Sequence, residues 1–434
     1  MSPFALPGGR ISGDTFPLFR DGVCHLFHMD MPGIGHRTSR DLLTWVEHAP
    51  VVERGASGAP DDANIATGTV LEHAGRFWCF YTGNQNVRLA TSDDLETWTK
   101  HPKNPVLVAD GVTCMADDFR DPYVFRHAGE GRWWMLLGTR RPGIAQQRGG
   151  CVVLAVSDDL MSWRLDGRLW TPDLGPHADC PQLIETAGRW WLLHLQRTAR
   201  WCHGPSSRGP FTPGGTLGTW RCAAGSRPAW DGKRWISLPW LFRPAHGGDL
   251  DEPVFGGPLA VPRELIFRAD GGVDERPAPQ VFAALGDATT TAREIDGPLT
   301  WLPDVPADAW LDLELQLPAQ GDASLLLRCG DDLLTGYRLV LSPGDGVATL
   351  RPLGRWDLDH DLATRAIEVP AGGHLPIMVA ISGGFLEAFI AGRWSLSAWI
   401  GAHRSGSIAI ETATVIGARW WPADPTIRTD TELI

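Results

Sequence analysis

Apolar positions in the first 262 residues come in short runs set off by turns, and one run recurs. A turn glycine followed by an aromatic-rich strand pattern occurs as GVCHLFHMD from Gly22, GRFWCFYTG from Gly75, GRWWMLLGT from Gly131, GRWWLLHLQ from Gly188 and GKRWISLPW from Gly232. The glycines are 53, 56, 57 and 44 residues apart. A second pattern follows one strand later: TSRDLLTW at 38–45, TSDDLETW at 91–98 and VSDDLMSW at 156–163. Ser and Asp side chains bond nearby backbone amides in turns, so these aspartates read as structural. No stretch of 1–262 sustains a 3.6-residue apolar period, which predicts few helices. A repeat of roughly 50 residues built only of strands and turns is the pattern of a propeller blade.

The segment GGPLAVPREL at 256–265 interrupts the repeat with Gly and Pro. Beyond it lie a short helical pattern near 277–286 and seven alternating runs: WLDLELQL, SLLLRC, YRLVLS, VATLRPL, LPIMVAI, FLEAFIA and SIAIETATV. Strands separated by turn signals predict a β-sandwich. The expected organisation is all-β: a five-bladed β-propeller over 1–255, a linker over 256–275 and a C-terminal β-sandwich over 276–434. The sandwich shows no cluster of carboxylates and reads as accessory.

Composition narrows the partners. A chain of 434 residues has room for two domains, and its net charge of −12 argues against nucleic acid or an anionic membrane. Of the 21 tryptophans most are expected in cores, with some free to stack on sugar rings. The eight cysteines are scattered with no CxxC pair, which disfavours zinc and disulfide-exchange chemistry. The opening MSPFALPGGRISGD has no basic region followed by an apolar core, and no run is long enough to cross a membrane. The expectation is a cytoplasmic monomer or homodimer with no metal or organic cofactor.

Aligning the units on their turn glycines, with Gly129 serving for the third, brings out the chemistry. Asp14 lies eight residues before Gly22, Thr67 eight before Gly75, Asp121 eight before Gly129, and Asp179 nine before Gly188. First strands of propeller blades line the central channel, so three carboxylates and Thr67 converge on its mouth. A paired nucleophile and acid/base is what a retaining glycosidase requires. A third carboxylate can bond ring hydroxyls and stabilise a developing positive charge. Arg120, beside Asp121, favours its ionised form. Glu185 lies six residues beyond Asp179 on the same strand, too far along to share the site.

Four segments together resemble glycoside hydrolase family 32, the β-fructofuranosidases: FRDPYVF at 119–125, GIGHRTSRDLLTW at 33–45, GGPLAVPREL at 256–265 and HLPIMVAISGGFLEAFIAGRWSLSAWI at 374–400. They occur in the family's order over nearly the whole chain. The resemblance implies hydrolysis or transfer of a β-fructofuranosyl unit from sucrose or short fructo-oligosaccharides. It makes Asp14 the nucleophile, Asp121 the transition-state stabiliser and Asp179 the acid/base, with Arg120, His36, Thr67, Asn84 and Trp201 as candidate substrate-binding residues. Two departures stand out. The family's Asn-Asp-Pro-Asn-Gly is here Gly-Asp-Thr-Phe-Pro around Asp14, and its Glu-Cys-Pro is Asp179-Cys180-Pro181. Two alternatives stay open: an arabinofuranosidase-like enzyme on the same propeller, since related five-bladed families also place three carboxylates in the funnel, or, given the shortened acid and the altered surroundings of Asp14, a carbohydrate-binding protein with impaired catalysis. Asp117 and Asp118 are candidate substitute acids.

Overall fold

The computed structural model describes Phe4 and residues 13–59, 62–172, 175–196, 198–219, 223–224, 227–291, 297–354 and 360–423. The N-terminal stretch read for a leader lies, apart from Phe4, Gly13 and Asp14, outside the described residues, as does Cys222.

The repeats form four-stranded antiparallel sheets, each a meander in chain order. The first holds β1 (Thr15–Arg20), β2 (Val23–Asp30), β3 (Gly33–Ser39) and β4 (Val46–Glu47). The second holds β5 (Ile65–His73), β6 (Arg76–Gly83), β7 (Asn86–Ser92) and β8 (Thr99–Lys100). The third holds β9 (Phe119–His127), β10 (Arg132–Arg140), β11 (Gly150–Ser157) and β12 (Arg164–Trp170). The fourth holds β13 (Asp179–Thr186), β14 (Arg189–Gln196), β15 (Thr198–Gly204) and β16 (Thr212–Leu217). The turn glycines do their expected work: Gly22, Gly75, Gly131 and Gly188 all have φ between 68° and 74°, the left-handed region that a Cβ disfavours. The repeated Ser-Asp turns are structural too. Asp94 Oδ1 accepts from the amides of Glu96 at 2.8 Å and Thr97 at 2.7 Å, and Asp159 does the same with Met161 and Ser162.

A fifth four-stranded sheet corrects the domain boundaries. Ala229–Trp230 and Trp235–Ser237 pair in turn with Arg263–Phe267 and Val273–Pro277. The segment 256–275, expected as a linker, therefore supplies the outer half of this sheet. Its Gly and Pro residues punctuate a crossover within the sheet rather than a boundary after it.

All seven strands expected in the C-terminal part are present, within two six-stranded sheets. Five more strands complete them: Thr289–Thr291, Leu299–Leu302, Ala363–Ala366, Trp394–Trp399 and Thr414–Pro422. Inward side chains of both sheets, among them Leu311, Leu313, Leu325, Leu339, Ile377 and Ile408, form one continuous core. The expected short helix spans Pro279–Leu285, with its first proline at a position that needs no amide donor.

The fifth sheet is locked to this sandwich by buried charges. Arg263 Nη1 donates to Glu275 Oε1 at 3.1 Å and its Nη2 to Glu387 Oε1, all three side chains being essentially inaccessible. Glu387 Oε2 accepts the Val261 amide at 2.6 Å, and Glu275 Oε2 accepts the Gly218 amide at 3.0 Å. Arg263→Met removes the shared cation between two buried carboxylates, leaving Glu387 with neutral donors and Glu275 with Arg365 at 3.7 Å. It is expected to cost about 3–5 kcal/mol of unfolding free energy, measurable by chemical denaturation.

The first sheet contains a histidine stack. His25, His36 and His48 lie in series with ring centroids 5.3 and 4.6 Å apart, and Phe27 packs on His36 at 4.7 Å. Burial pushes His36 down to about 3 and lowers His25. Both are folded as neutral rings, so their contribution is complete above the unfolded histidine pKa of roughly 6.5. It is lost as pH falls from there toward the folded value, because only the unfolded chain takes up the protons. Stability is expected to fall between pH 7 and pH 5, and less steeply in His36→Phe, in denaturation curves at the two pH values.

Candidate active site

Three inner strands share an irregularity at the same level. Pairing of β5 with β6 shifts register between Ala66 and Gly68, that of β9 with β10 between Arg120 and Tyr123, and that of β13 with β14 between Asp179 and Gln182. Each inner strand thus carries one extra residue, a bulge that bends the strand and re-aims its side chains. Asp121 and Cys180 sit in these bulges with φ of 60° and 49°, left-handed conformations for residues that precede proline. Such backbone costs on the order of 1–3 kcal/mol per residue and persists only where surroundings enforce it. Here the Asp121 amide donates to Thr82 Oγ1 at 2.8 Å, and the Cys180 amide donates to Asp121 Oδ2 at 3.0 Å.

The bulges of β9 and β13 set the positions of Asp121 and Asp179, and the bulge of β5 turns Thr67 toward Asp14. Asp14, just ahead of β1, accepts from Thr67 Oγ1 at 2.9 Å on Oδ2 and from Trp240 Nε1 at 3.3 Å on Oδ1. Thr82 Oγ1 in turn donates to the Thr67 carbonyl at 3.2 Å. A chain of hydrogen bonds therefore runs from the Asp121 backbone to the Asp14 carboxylate. Burial raises the pKa of Asp14, and the charge of Asp121 raises it further.

Asp179, at the start of β13, accepts from Arg120 Nη2 at 2.7 Å. Burial pushes it up to about 6; Asp121 and Asp14 add to this, against the pull of Arg120 and His177. A carboxyl that keeps its proton near pH 6 is suited to general-acid work. Arg120 is fixed from behind: its Nη1 donates to Asp118 Oδ1, and Asp118 Oδ2 accepts from Arg140 Nε. His177 Nδ1 lies 3.2 Å from Arg120 Nη2. Asp118 is thus a buried ion-pair partner of two guanidinium groups, and Asp117 is an exposed neighbour of Arg140. Neither is placed as a substitute acid.

Of the residues singled out from sequence, Asp14, Thr67, Arg120, Asp121 and Asp179 meet in this cluster. His36 does not: it falls in the middle of β3, inside the histidine stack. Asn84 caps a loop, accepting the Asn64 amide at 2.8 Å and donating to the Asp62 carbonyl at 3.3 Å. Trp201 is 8% exposed, donates to the Gly271 carbonyl at 3.1 Å, and lies flat where Cβ atoms at Gly214 and Gly215 would stand. It is packed in the fourth sheet rather than offered to a ligand at the carboxylates. Sequence reading missed Trp240, Thr82, His177 and Arg140. Of these only Trp240 carried a signal, as the last residue of the fifth repeat.

A fold comparison matches nearly the whole chain. The fructan 1-exohydrolase IIa structure from Cichorium intybus superposes with a TM-score of 0.77 over 98% of this chain and 97% of that one, at 16% identity. In sequence, residues 17–210 match the model of the glycosyl hydrolases family 32 N-terminal domain. This matched stretch, a little under half of the chain, is similar to the N-terminal domain of glycoside hydrolase family 32. The chain is 32% identical to a levanase of Bacillus subtilis (strain 168) over 187 residues, 38% of this chain and 25% of the levanase. It is 26% identical to a levanase of Bacillus sp. (strain L7) over 397 residues, 76% of this chain and 41% of that protein. The chain thus spans less than half the length of these relatives.

The departures from the family 32 motif have visible causes. A Cβ on Gly13 would stand 2.6 Å from Phe255 Cζ, so the Phe255 ring occupies the space that the family's asparagine side chain needs. The ring also packs on Trp240 with centroids 4.8 Å apart. Thr15, in place of proline, donates to the Leu238 carbonyl at 2.6 Å and ties the first strand to the fifth repeat.

Proposed function

We propose that this protein is a retaining glycosidase that cleaves β-fructofuranosyl linkages of sucrose or short fructans. The observation that carries this reading is the convergence of Asp14, Asp121 and Asp179 from three repeats, with Asp179 held in a protonated range. The five sheets are the blades of a propeller. Inner strands meet in series through Thr67–Asp14, Thr69 Oγ1 to the Pro122 carbonyl, Cys180–Asp121 and Gln182 Nε2 to the Pro228 carbonyl, which supports a ring closed by the fifth sheet.

In the first step Asp14 attacks the anomeric carbon and Asp179 protonates the departing glycosidic oxygen. Asp121 steadies the oxocarbenium-like transition state between them, and Arg120 fixes Asp179. In the second step Asp179, now a base, takes a proton from water, which displaces fructose from Asp14 and restores both carboxyls. A second sugar hydroxyl in place of water gives transfer. The names of the relatives, levanase and fructan 1-exohydrolase, favour fructans as substrates.

Product analysis on sucrose, inulin and levan oligomers, difructose anhydrides and arabinofuranosides tests the substrate class. NMR of the first-formed anomer tests retention. Fructose released as its β anomer is the expected result. Activity confined to arabinofuranosides, or a first product of the α anomer, overturns the corresponding part of the proposal.

A further inference from the structure

Below the carboxylates lies one arginine that the catalytic steps do not use. Arg227 is 4% exposed and stands where the inner strands meet. Its Nη2 donates to the Asp121 carbonyl at 2.6 Å. Its Nη1 donates to the Pro122 carbonyl at 3.0 Å, to Thr69 Oγ1 at 3.3 Å and to the Gly68 carbonyl. Its backbone amide donates to the Thr15 carbonyl at 3.2 Å, next to Asp14. The acceptors are not scattered. Gly68 follows Thr67, the bulge residue that holds Asp14, while Asp121 and Pro122 are themselves the bulge of β9. A bulge takes backbone groups out of the strand ladder, and buried carbonyls need donors.

We propose that Arg227 is the positioning residue that sets Asp14 and Asp121 relative to one another, by pinning with one guanidinium the β9 bulge that presents Asp121 and the β5 bulge whose Thr67 holds Asp14. This rests on the fructosidase reading above. The planar fork matters: its two terminal nitrogens reach carbonyls of two different strands at once, which a lysine ammonium, a single point of donation, does not reproduce. Arg227 touches no reacting atom, so its loss acts on geometry. Displacements of about 1 Å at a reacting centre cost on the order of a hundredfold in rate.

Beneath Arg227 is a cavity of ≈ 270 Å³ walled by Phe16, Tyr123, Gln182 and Trp230, and Trp230 is 49% exposed. Arg227→Ala extends this cavity upward to the freed carbonyls, leaving room for a guanidinium ion from solution. The test measures fructose release by wild type, Arg227→Lys and Arg227→Ala, the last with and without millimolar guanidinium chloride. Both variants are expected to lose kcat by roughly a hundredfold with KM changed less than about threefold. Guanidinium is expected to restore Arg227→Ala at least tenfold without affecting Arg227→Lys.

Wild-type kcat in either variant overturns the role, as does a loss confined to KM, or a loss in Arg227→Ala that guanidinium leaves unchanged. If Arg227→Ala does not fold, Arg227→Lys decides alone: kcat within threefold of wild type overturns the role. A wild type that releases no fructose overturns the fructosidase reading together with this role. An active wild type with fully active variants overturns the role of Arg227 only.

Discussion

Asp14→Asn is expected to abolish fructose release while leaving the protein folded. The amide keeps one oxygen for the Trp240 indole, and its NH2 can donate to Thr67 Oγ1, whose hydroxyl turns to accept. The two contacts that hold the side chain, at 2.9 and 3.3 Å, therefore survive the change. The proposed nucleophile does not survive, since an amide oxygen forms no stable ester with the anomeric carbon. A loss on the order of 10⁴-fold or more in kcat is expected, as for removal of other enzyme nucleophiles. Stability should move the other way. Burial and the neighbouring Asp121 raise the pKa of Asp14, so the folded state favours its neutral form. At neutral pH the ionised carboxylate carries a cost that asparagine lacks. The variant is expected to melt no lower than wild type, a result that calorimetry and the activity assay give on one sample.

Asp179→Asn is expected to lower kcat/KM on sucrose or levan oligomers by about 10²–10⁴-fold, the contribution usual for a general acid. The loss depends on the leaving group. Fluoride departs without a proton, so kcat/KM on fructosyl fluoride, which reports the first step, is expected to stay near the wild-type value. The pH profile carries a second mark. An acid must hold its proton, and Asp179 releases its own at about 6. Wild-type kcat/KM on sucrose should therefore fall as pH rises through that value, and this limb should vanish in the variant. Equal losses on sucrose and fluoride would move the acid elsewhere, with His177, 3.2 Å from Arg120 Nη2, as a candidate.

The architecture was legible from the chain because its strands are short, aromatic and closed by glycine turns at a near-constant spacing. The carboxylates could be aligned on those glycines because the repeat copies its geometry along with its sequence. What stayed hidden depends on pairing across long separations. The bulges that turn Asp121 and Cys180 into left-handed conformations arise from register against β10 and β14, which a single strand's pattern does not encode. Trp240 meets Asp14 across 226 residues, and Arg227 meets Asp121 across 106. The outer strands of the fifth sheet were concealed by Gly256, Gly257 and the prolines, which punctuate a long crossover as readily as a domain boundary. His36 lies in a motif that carries the family resemblance, yet its mid-strand position aims it into a stack of rings.

The central claim, that the cluster around Asp14 cleaves fructosyl linkages, is tested most directly by fructose release from sucrose, inulin and levan. Wild type and Asp14→Asn are compared at equal concentration, below the pH at which Asp179 loses its proton. Fructose from at least one substrate with wild type, and none above background with Asp14→Asn, is the predicted result. Release that the substitution leaves undiminished, or a wild type silent on all three, contradicts the account.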